Sequence, residues 1–487
     1  MITRSYDVIV AGFRPGGLLA GALLAKRGLR VLAINQDGWE PVVVGKYTFP
    51  SHRYPFIGFD DRELLGGAVD DLTIHPNERK HIQASIPSYQ VILPRQRVDI
   101  YPDERFVSEL EREFPDDDVA FSALYDRVRE QAGLFIRAWA EKRTQPPTPT
   151  LVQRMGMRSA PRKGRALLPA DTETVGDVLA LMDAPPDVKA FVSAQLAAFG
   201  RCVDPLAIPM PVAAHLLTSA RGGIYTDTSH PEPLVALLSN RLKSLQCDVE
   251  SSERISSLSF SWGKLQELRF KGYEHPFHCD YLIWNTAYSS LRAVVPDAVW
   301  EKAYRDRLPD PVYERYSIHV ALDEFVIPVG MHDHAVILGE SDQPIGDGNL
   351  VFVSLGPQNA DAFGPPGTRS LTLTTLVSWG KEHRTEEKRR EVATRMLTVL
   401  KQVIPFMERY VRTLFVPLPS GDGGEGEPVY DVSSLQRRWG MDLGPGPALP
   451  HWNVFHTGPE AFPMLGFEGE IAAGILAAEA VLATRRG

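Results

Sequence analysis

The chain has 487 residues, 44% hydrophobic and 23% charged. That is an ordinary globular composition, long enough for two or three domains or one large fold with an insertion. Its 52 basic and 61 acidic residues give a net charge of −9, which argues against nucleic acid as a partner, because phosphate backbones select basic surfaces. Cys202, Cys247 and Cys279 are far apart and odd in number. They supply neither a disulfide framework nor zinc spacing, so a reducing cytoplasm is expected. A strand begins almost at once with no charged-then-apolar leader before it, and no run of 18 apolar residues follows. Neither a signal peptide nor a membrane span is expected.

Residues 6–11, YDVIVA, form a short apolar run ending at Gly12 and read as a buried parallel strand. Residues 18–27, LLAGALLAKR, read as a helix closed by Gly28, and residues 30–34, RVLAI, as a second strand. Strand, turn, helix and strand within about 30 residues make a Rossmann-type unit. The turn between them reads Gly12-Phe13-Arg14-Pro15-Gly16-Gly17. Gly12 and Gly17 hold the positions that make the tight turn and let helix pack on strand. Arg14 stands where a glycine would let backbone approach a pyrophosphate. Two roles follow: the guanidinium pairs with phosphate, or it fills the site. At the end of the second strand, where an acid would take ribose hydroxyls, stands Asn35, followed by Gln36 and Asp37. An asparagine binds ribose more weakly, and Asp37 suits a turn.

Residues 39–75 are loop-rich. Residues 103–142 are helical in pattern, and TQPPTPT ends them. Residues 151–165 carry five basic residues and no acid, which suits a solvated linker or a membrane- or partner-touching loop. Asp171 is expected to cap a helix, and 185–199 and 233–246 to form two more. Residues 221–227, RGGIYTD, lead through a glycine turn into a strand. Residues 254–272 read as a hairpin or meander turning at Gly263, and 279–287 as a buried strand. From 311 to 382 four alternating stretches predict a mostly antiparallel second sheet. A long helix then begins at Thr385, an exposed loop covers LPSGDGGEGEP, and a strand, a glycine-rich loop and a helix close the chain.

These parts, in this order, resemble the phytoene desaturase and carotenoid isomerase branch of the amine-oxidase-type flavoproteins. FGPPGTRSLTLTT at 363–375 is similar to that branch's Ala-Pro-x-Gly segment. WNVFHTGPEAFPMLGFEGEIAAGILAAEAVL is similar to its C-terminal flavin motif. The resemblance implies an α/β fold, with a discontinuous Rossmann-type FAD/NAD(P)-binding domain from 1–75, 215–300 and 445–487. A substrate or cap domain with a mixed, largely antiparallel sheet would come from 76–214 and 301–444. It implies FAD held by Gly12, Arg14, Gly16, Gly17 and Asn35, with the residue matching Ile255 at the adenine. Gly458 would end a strand, and Gly466, Glu468 and Gly469 would form a loop at the flavin. The chemistry would be the flavin's, on an apolar, polyprenyl or carotenoid-like substrate.

The ligand-facing positions depart from the pattern. Besides Arg14 and Asn35, the Gly-Gly-Arg-like stretch is reduced to Gly45-Lys46, and Pro459 separates Gly458 from Glu460. The alternative is a flavin-free binding protein of the same fold, carrying a lipid or a partner segment, as the Rab GDP-dissociation inhibitors do in this superfamily. An amine oxidase is the weaker alternative. No catalytic side chain is assigned. His215, His319 and Cys202 are expected to be packed, and the neighbouring His332 and His334 make a poor metal pair.

Overall fold

The computed structural model describes residues 5–36, 39–51, 55–60, 64–155, 166–251, 254–418 and 426–486. The chain opens with β1 (Ser5–Ala11), α1 (Pro15–Lys26) and β2 (Val31–Ile34). The helix starts three residues before its apolar pattern does. Pro15 occupies the first turn, where its fixed φ is helical and its missing N–H costs nothing. Gly28, at φ 86°, takes the chain out of the helix. Three later segments complete the sheet: β3 (Asp248–Glu250), β4 (His278–Trp284) and β5 (Val454–His456). The order is β3-β2-β1-β4-β5 and every pairing is parallel. Side chains alternate across it. Val8 and Val10 face α1 and the last helix, α2 (Gly466–Arg486), while Ile9, Ala11, Leu282 and Trp284 face the hairpin Ile255–Ser261/Lys264–Phe270.

The second sheet has nine strands. Its path runs Arg97–Ile100, Tyr89–Ile92, His334–Leu338, Leu350–Leu355, Thr368–Ser378, Tyr313–Asp323, Glu427–Asp431, Cys202–Val203, with Val411–Phe415 also paired to Tyr313–Asp323. Most pairings are antiparallel; those of Tyr89–Ile92 with His334–Leu338 and of Glu427–Asp431 with Cys202–Val203 are parallel. Helix Glu386–Lys401, capped by the Thr385 side chain, covers one face with Val392, Met396 and Val399. Helix Pro186–Phe199 packs on the nine-stranded sheet, Phe199 against Phe352. The mixed α/β fold read from the sequence is the fold observed.

Several local expectations change. The helix near residue 171 is Val175–Leu181, and Thr174, not Asp171, caps it: its hydroxyl accepts from the Asp177 N–H while Asp177 accepts from the Thr174 N–H. Residues 39–75 include the strand pair Val42–Val44/Tyr47–Phe49, with Gly45-Lys46 as its turn, and helix Leu65–Asp71. Gly466, Glu468 and Gly469 are not a loop. They are the first turn of α2, which follows directly on a 3-10 turn over Pro463–Leu465. β5 ends at His456, before Gly458. Of the basic stretch, helix Leu151–Arg154 is described, while 156–165 lie outside the described residues. So does most of the glycine-rich stretch expected as a loop after 418, residues 419–425. Among the described residues no helix is long and apolar enough to cross a membrane.

His451 sits in the core beneath the hairpin, 2.7 Å from the Tyr304 hydroxyl and tilted against the Phe260 ring at 4.1 Å. Burial pushes its pKa down from 6.5 to about 4. A depressed folded pKa contributes stability above the unfolded pKa and loses it as pH falls towards the folded one. Acidification from pH 7 to pH 4.5 should therefore remove about 2–3 kcal/mol through this group. Thermal unfolding of the wild type and His451→Gln across that range checks it; equal pH slopes would refute it.

Candidate functional site

The N-terminus of α1 is where the fold gathers its polar groups. Gly12 donates to Ile34 at the end of β2, and Asn285, just past β4, donates its backbone N–H to Ala11. The Asn285 side chain is fully buried and makes four bonds. Its Nδ2 donates to the carbonyls of Gly12 (3.1 Å) and Arg14 (2.6 Å); its Oδ1 accepts from the Gly17 N–H (2.9 Å) and the Thr457 hydroxyl (3.0 Å). One amide thus ties the ends of β1, β4 and β5 to the first turn of α1. Sequence reading passed over it.

Arg14 is the helix N-cap, in extended backbone, and is 5% exposed. Its guanidinium lies over the Trp39 ring at 4.4 Å. Nε and Nη2 donate to Glu470 Oε1 at 3.1 and 2.6 Å, and Nη2 donates to Glu427 Oε1 at 2.6 Å. Arg201 Nη2 reaches the same Glu470 oxygen at 2.6 Å and lies 3.9 Å from Glu427. Arg14 and Glu470 belong to the parallel-sheet side; Glu427 and Arg201 come from the edge of the nine-stranded sheet. Burial pushes the Glu470 carboxyl up, but Arg14 and then Arg201 more than offset this and hold it below the usual carboxylate range.

The other residues expected at a cofactor each meet protein. Asn35 Oδ1 accepts from the Trp39 N–H (2.9 Å), and Ile255 N–H donates to Gln36 Oε1 (3.3 Å). Asp37 lies outside the described residues. Gly16 lies against the Glu470 and Thr457 carbonyls of α2 and the turn before it; Gly466 abuts Phe199 O, Gly458 abuts Thr286 O and Gly469 abuts Phe462 O. Glu468 pairs with Ser219 (3.0 Å) and with His215 (3.2 Å), whose ring stacks on Phe135. Glu460 accepts from the Tyr288 N–H and lies 3.2 Å from His456. Each of these expected residues therefore lies against other parts of the protein.

The remaining candidates are packed side chains. His319 bonds Thr372, His332 bonds Asp99 and His334 bonds Ser354. All three cysteines are free thiols; burial pushes Cys202 and Cys279 up to about 12. No group of metal-ligating side chains occurs among the described residues.

No protein-family model and no curated protein sequence matches the chain. Solved structures do match in fold. An oxidoreductase from Methanosarcina mazei is 14% identical with a TM-score of 0.58, covering 99% of this chain and 100% of its own. Putrescine oxidase bound to putrescine is 14% identical at 0.60, covering 98% and 99%. A Rab GDI from Plasmodium falciparum is 10% identical at 0.51, covering 91% and 97%. The fold is the one shared by these oxidoreductases and by the Rab GDI; FAD is the cofactor that the sequence resemblance implies for it.

The residues of this chain do not fit that cofactor as they are placed. In the motif, the turn's backbone and the helix N-terminus face the pyrophosphate. Here every residue from Gly12 to Gly17 is buried by protein alone, as is α2 from Gly466 to Ala478. Beside Pro15, between Trp39, Phe56, Glu232 and Phe467, a cavity of about 20 Å³ remains. That suits a water molecule, whereas ligand clefts run to roughly 300–1,000 Å³. Two carboxylates also hold the place next to the turn, where a diphosphate would meet repulsion.

Proposed function

We propose that this chain is a non-redox binding protein that keeps the FAD-dependent oxidoreductase fold and closes its cofactor site with its own side chains. The observation that carries this reading is Arg14, anchored to Glu470 and Glu427 inside the turn. Gln36, Trp39 and Asn285 support it by taking the hydrogen bonds that adenine, ribose and pyrophosphate would use. The fold's presence in a Rab GDI supports it too. A cavity of about 1,300 Å³ lies elsewhere, between helix Asp118–Thr144, residues 166–173 and residues 438–448. Its lining mixes Leu167, Leu168 and Trp439 with Arg137 and Asp171, which suits an amphipathic, lipid-like ligand or a partner segment.

The test is the visible absorption of the purified protein before and after excess FAD, with thermal unfolding in parallel. The expected result is no bound flavin and no shift of the midpoint. Stoichiometric flavin would overturn the reading.

A second reading, an FAD-dependent oxidoreductase, is favoured by the oxidase neighbours and by the retained Gly12 and Gly17. The cavity of about 40 Å³ between Phe56, Tyr225 and the hydroxyls of Ser354, Thr372 and Thr374 is too small as it stands to select a substrate class.

A further inference from the structure

We propose that the cavity of about 1,300 Å³ beside helix Asp118–Thr144 binds a zwitterionic single-chain lipid, its acyl chain on the floor and its headgroup at the rim. This rests on the binding-protein reading above. The cavity exceeds the roughly 300–1,000 Å³ of a drug-sized site, and its lining is sorted by depth. Leu167, Leu168, Pro211, Phe462 and Leu476 are buried and make an apolar floor. Arg137, Glu141, Asp171 and Arg438 are exposed and put both signs of charge at the open side. Neither Arg137 nor Asp171 has an ion-pair partner among the described residues.

Among the described lining residues that are buried, Gln131 alone has a polar side chain. It is 7% exposed, and its amide has no hydrogen-bond partner among the described residues. A buried amide left open on a cavity calls for a ligand that donates or accepts there. Gln131 shares one helix face with Leu134, Ala138 and Lys142, spaced three or four residues apart along the cavity. Arg137 follows on the same helix, about 9 Å further along its axis. A lysophospholipid carries its groups in that order: apolar chain, ester and hydroxyl, then phosphate and ammonium. Gln131 would take the ester or hydroxyl, Arg137 the phosphate and Asp171 the ammonium. The walls are fixed in advance. Lys142 donates to Asp442 at 2.5 Å, and the Leu167 N–H donates to the same oxygen at 3.2 Å. A peptide segment fits less well, because Arg307 already occupies the carbonyls of Pro445, Gly446 and Ala448 in the opposite wall.

The experiment is calorimetric titration of the wild type, Ala138→Trp, Gln131→Leu and Arg137→Glu with dodecanoyl lysophosphatidylcholine below its critical micelle concentration. The wild type should bind saturably. Ala138→Trp, which fills the cavity, should not bind, and the other two variants should bind about tenfold more weakly. Dodecanoate, with the same chain and no zwitterion, should also bind about tenfold more weakly than the lysolipid. A wild type that takes up no lysolipid overturns the inference. So does a folded Ala138→Trp that binds as wild type does, or equal affinity for dodecanoate. Should Ala138→Trp not fold, the exposed Arg137→Glu decides, and unchanged affinity there overturns the inference. Stoichiometric flavin in the wild type would instead sink the functional reading beneath it, whatever the lipid result.

Discussion

Replacing Gly16 by alanine should destabilise the protein by roughly 4–5 kcal/mol or prevent folding altogether, a loss at the extreme of single substitutions. A Cβ there would lie 2.2 Å from the Glu470 carbonyl oxygen, 2.8 Å from its carbon and 2.9 Å from the Thr457 oxygen. All three are backbone atoms, so no side chain can swing aside. α1 or α2 must move, and both are buried against the sheet. Gly222→Ala is the control: nothing lies within 4 Å of its added carbon. Chemical denaturation of both variants decides the matter. A Gly16→Ala protein within 1 kcal/mol of wild type would mean that the two helices are not in backbone contact.

Asn285→Ala should cost about 3–5 kcal/mol. It removes four hydrogen bonds at once and leaves the Gly17 N–H and the Gly12 carbonyl without this partner in the interior, each at a cost of about 1–3 kcal/mol. Asn285→Asp keeps the shape. It can still accept from Gly17 and Thr457, but it cannot donate to the carbonyls of Gly12 and Arg14. It should therefore fall between alanine and wild type near neutral pH. Urea unfolding of the pair measures this. If alanine and wild type unfold at the same denaturant concentration, the amide does not hold the turn.

The first Rossmann unit was legible because its signals are local. An apolar run, a glycine, a helix former and a second apolar run fix β1, α1 and β2 within one stretch of chain. Arg14 was legible as a departure, and the sequence left open whether it binds phosphate or fills the site. The structure shows its partners to be carboxylates, and neither Glu427 nor Glu470 was read as such. Their distance in sequence hides them, yet a clue exists. GFEGEIAAGILAA has no basic residue within reach of its second glutamate, and a carboxylate buried in such a helix requires a cation from elsewhere. Arginine in a buried turn poses the converse problem. Matching two such orphans is a chemical inference that sequence permits. Asn285 gave less warning, because the buried strand expected over 279–287 takes it in, whereas the strand ends at Trp284. Thr174 was missed for a smaller reason: Asp177, three residues on, completes its capping box, while Asp171 was the more obvious acid.

The contact between Gly16 and α2 has a consequence for biosynthesis. Glu470 is joined to the turn only after 456 further residues have been added. At about 5–20 residues per second the opening β1-α1 segment waits roughly 20–90 s for its partner helix. Throughout that interval Leu18, Leu19 and Ala22 of α1 lack part of their native cover, and the first unit is exposed to chaperones and proteases on the ribosome. Closure of the parallel sheet is therefore among the last events of folding, although its first two strands are made at the start.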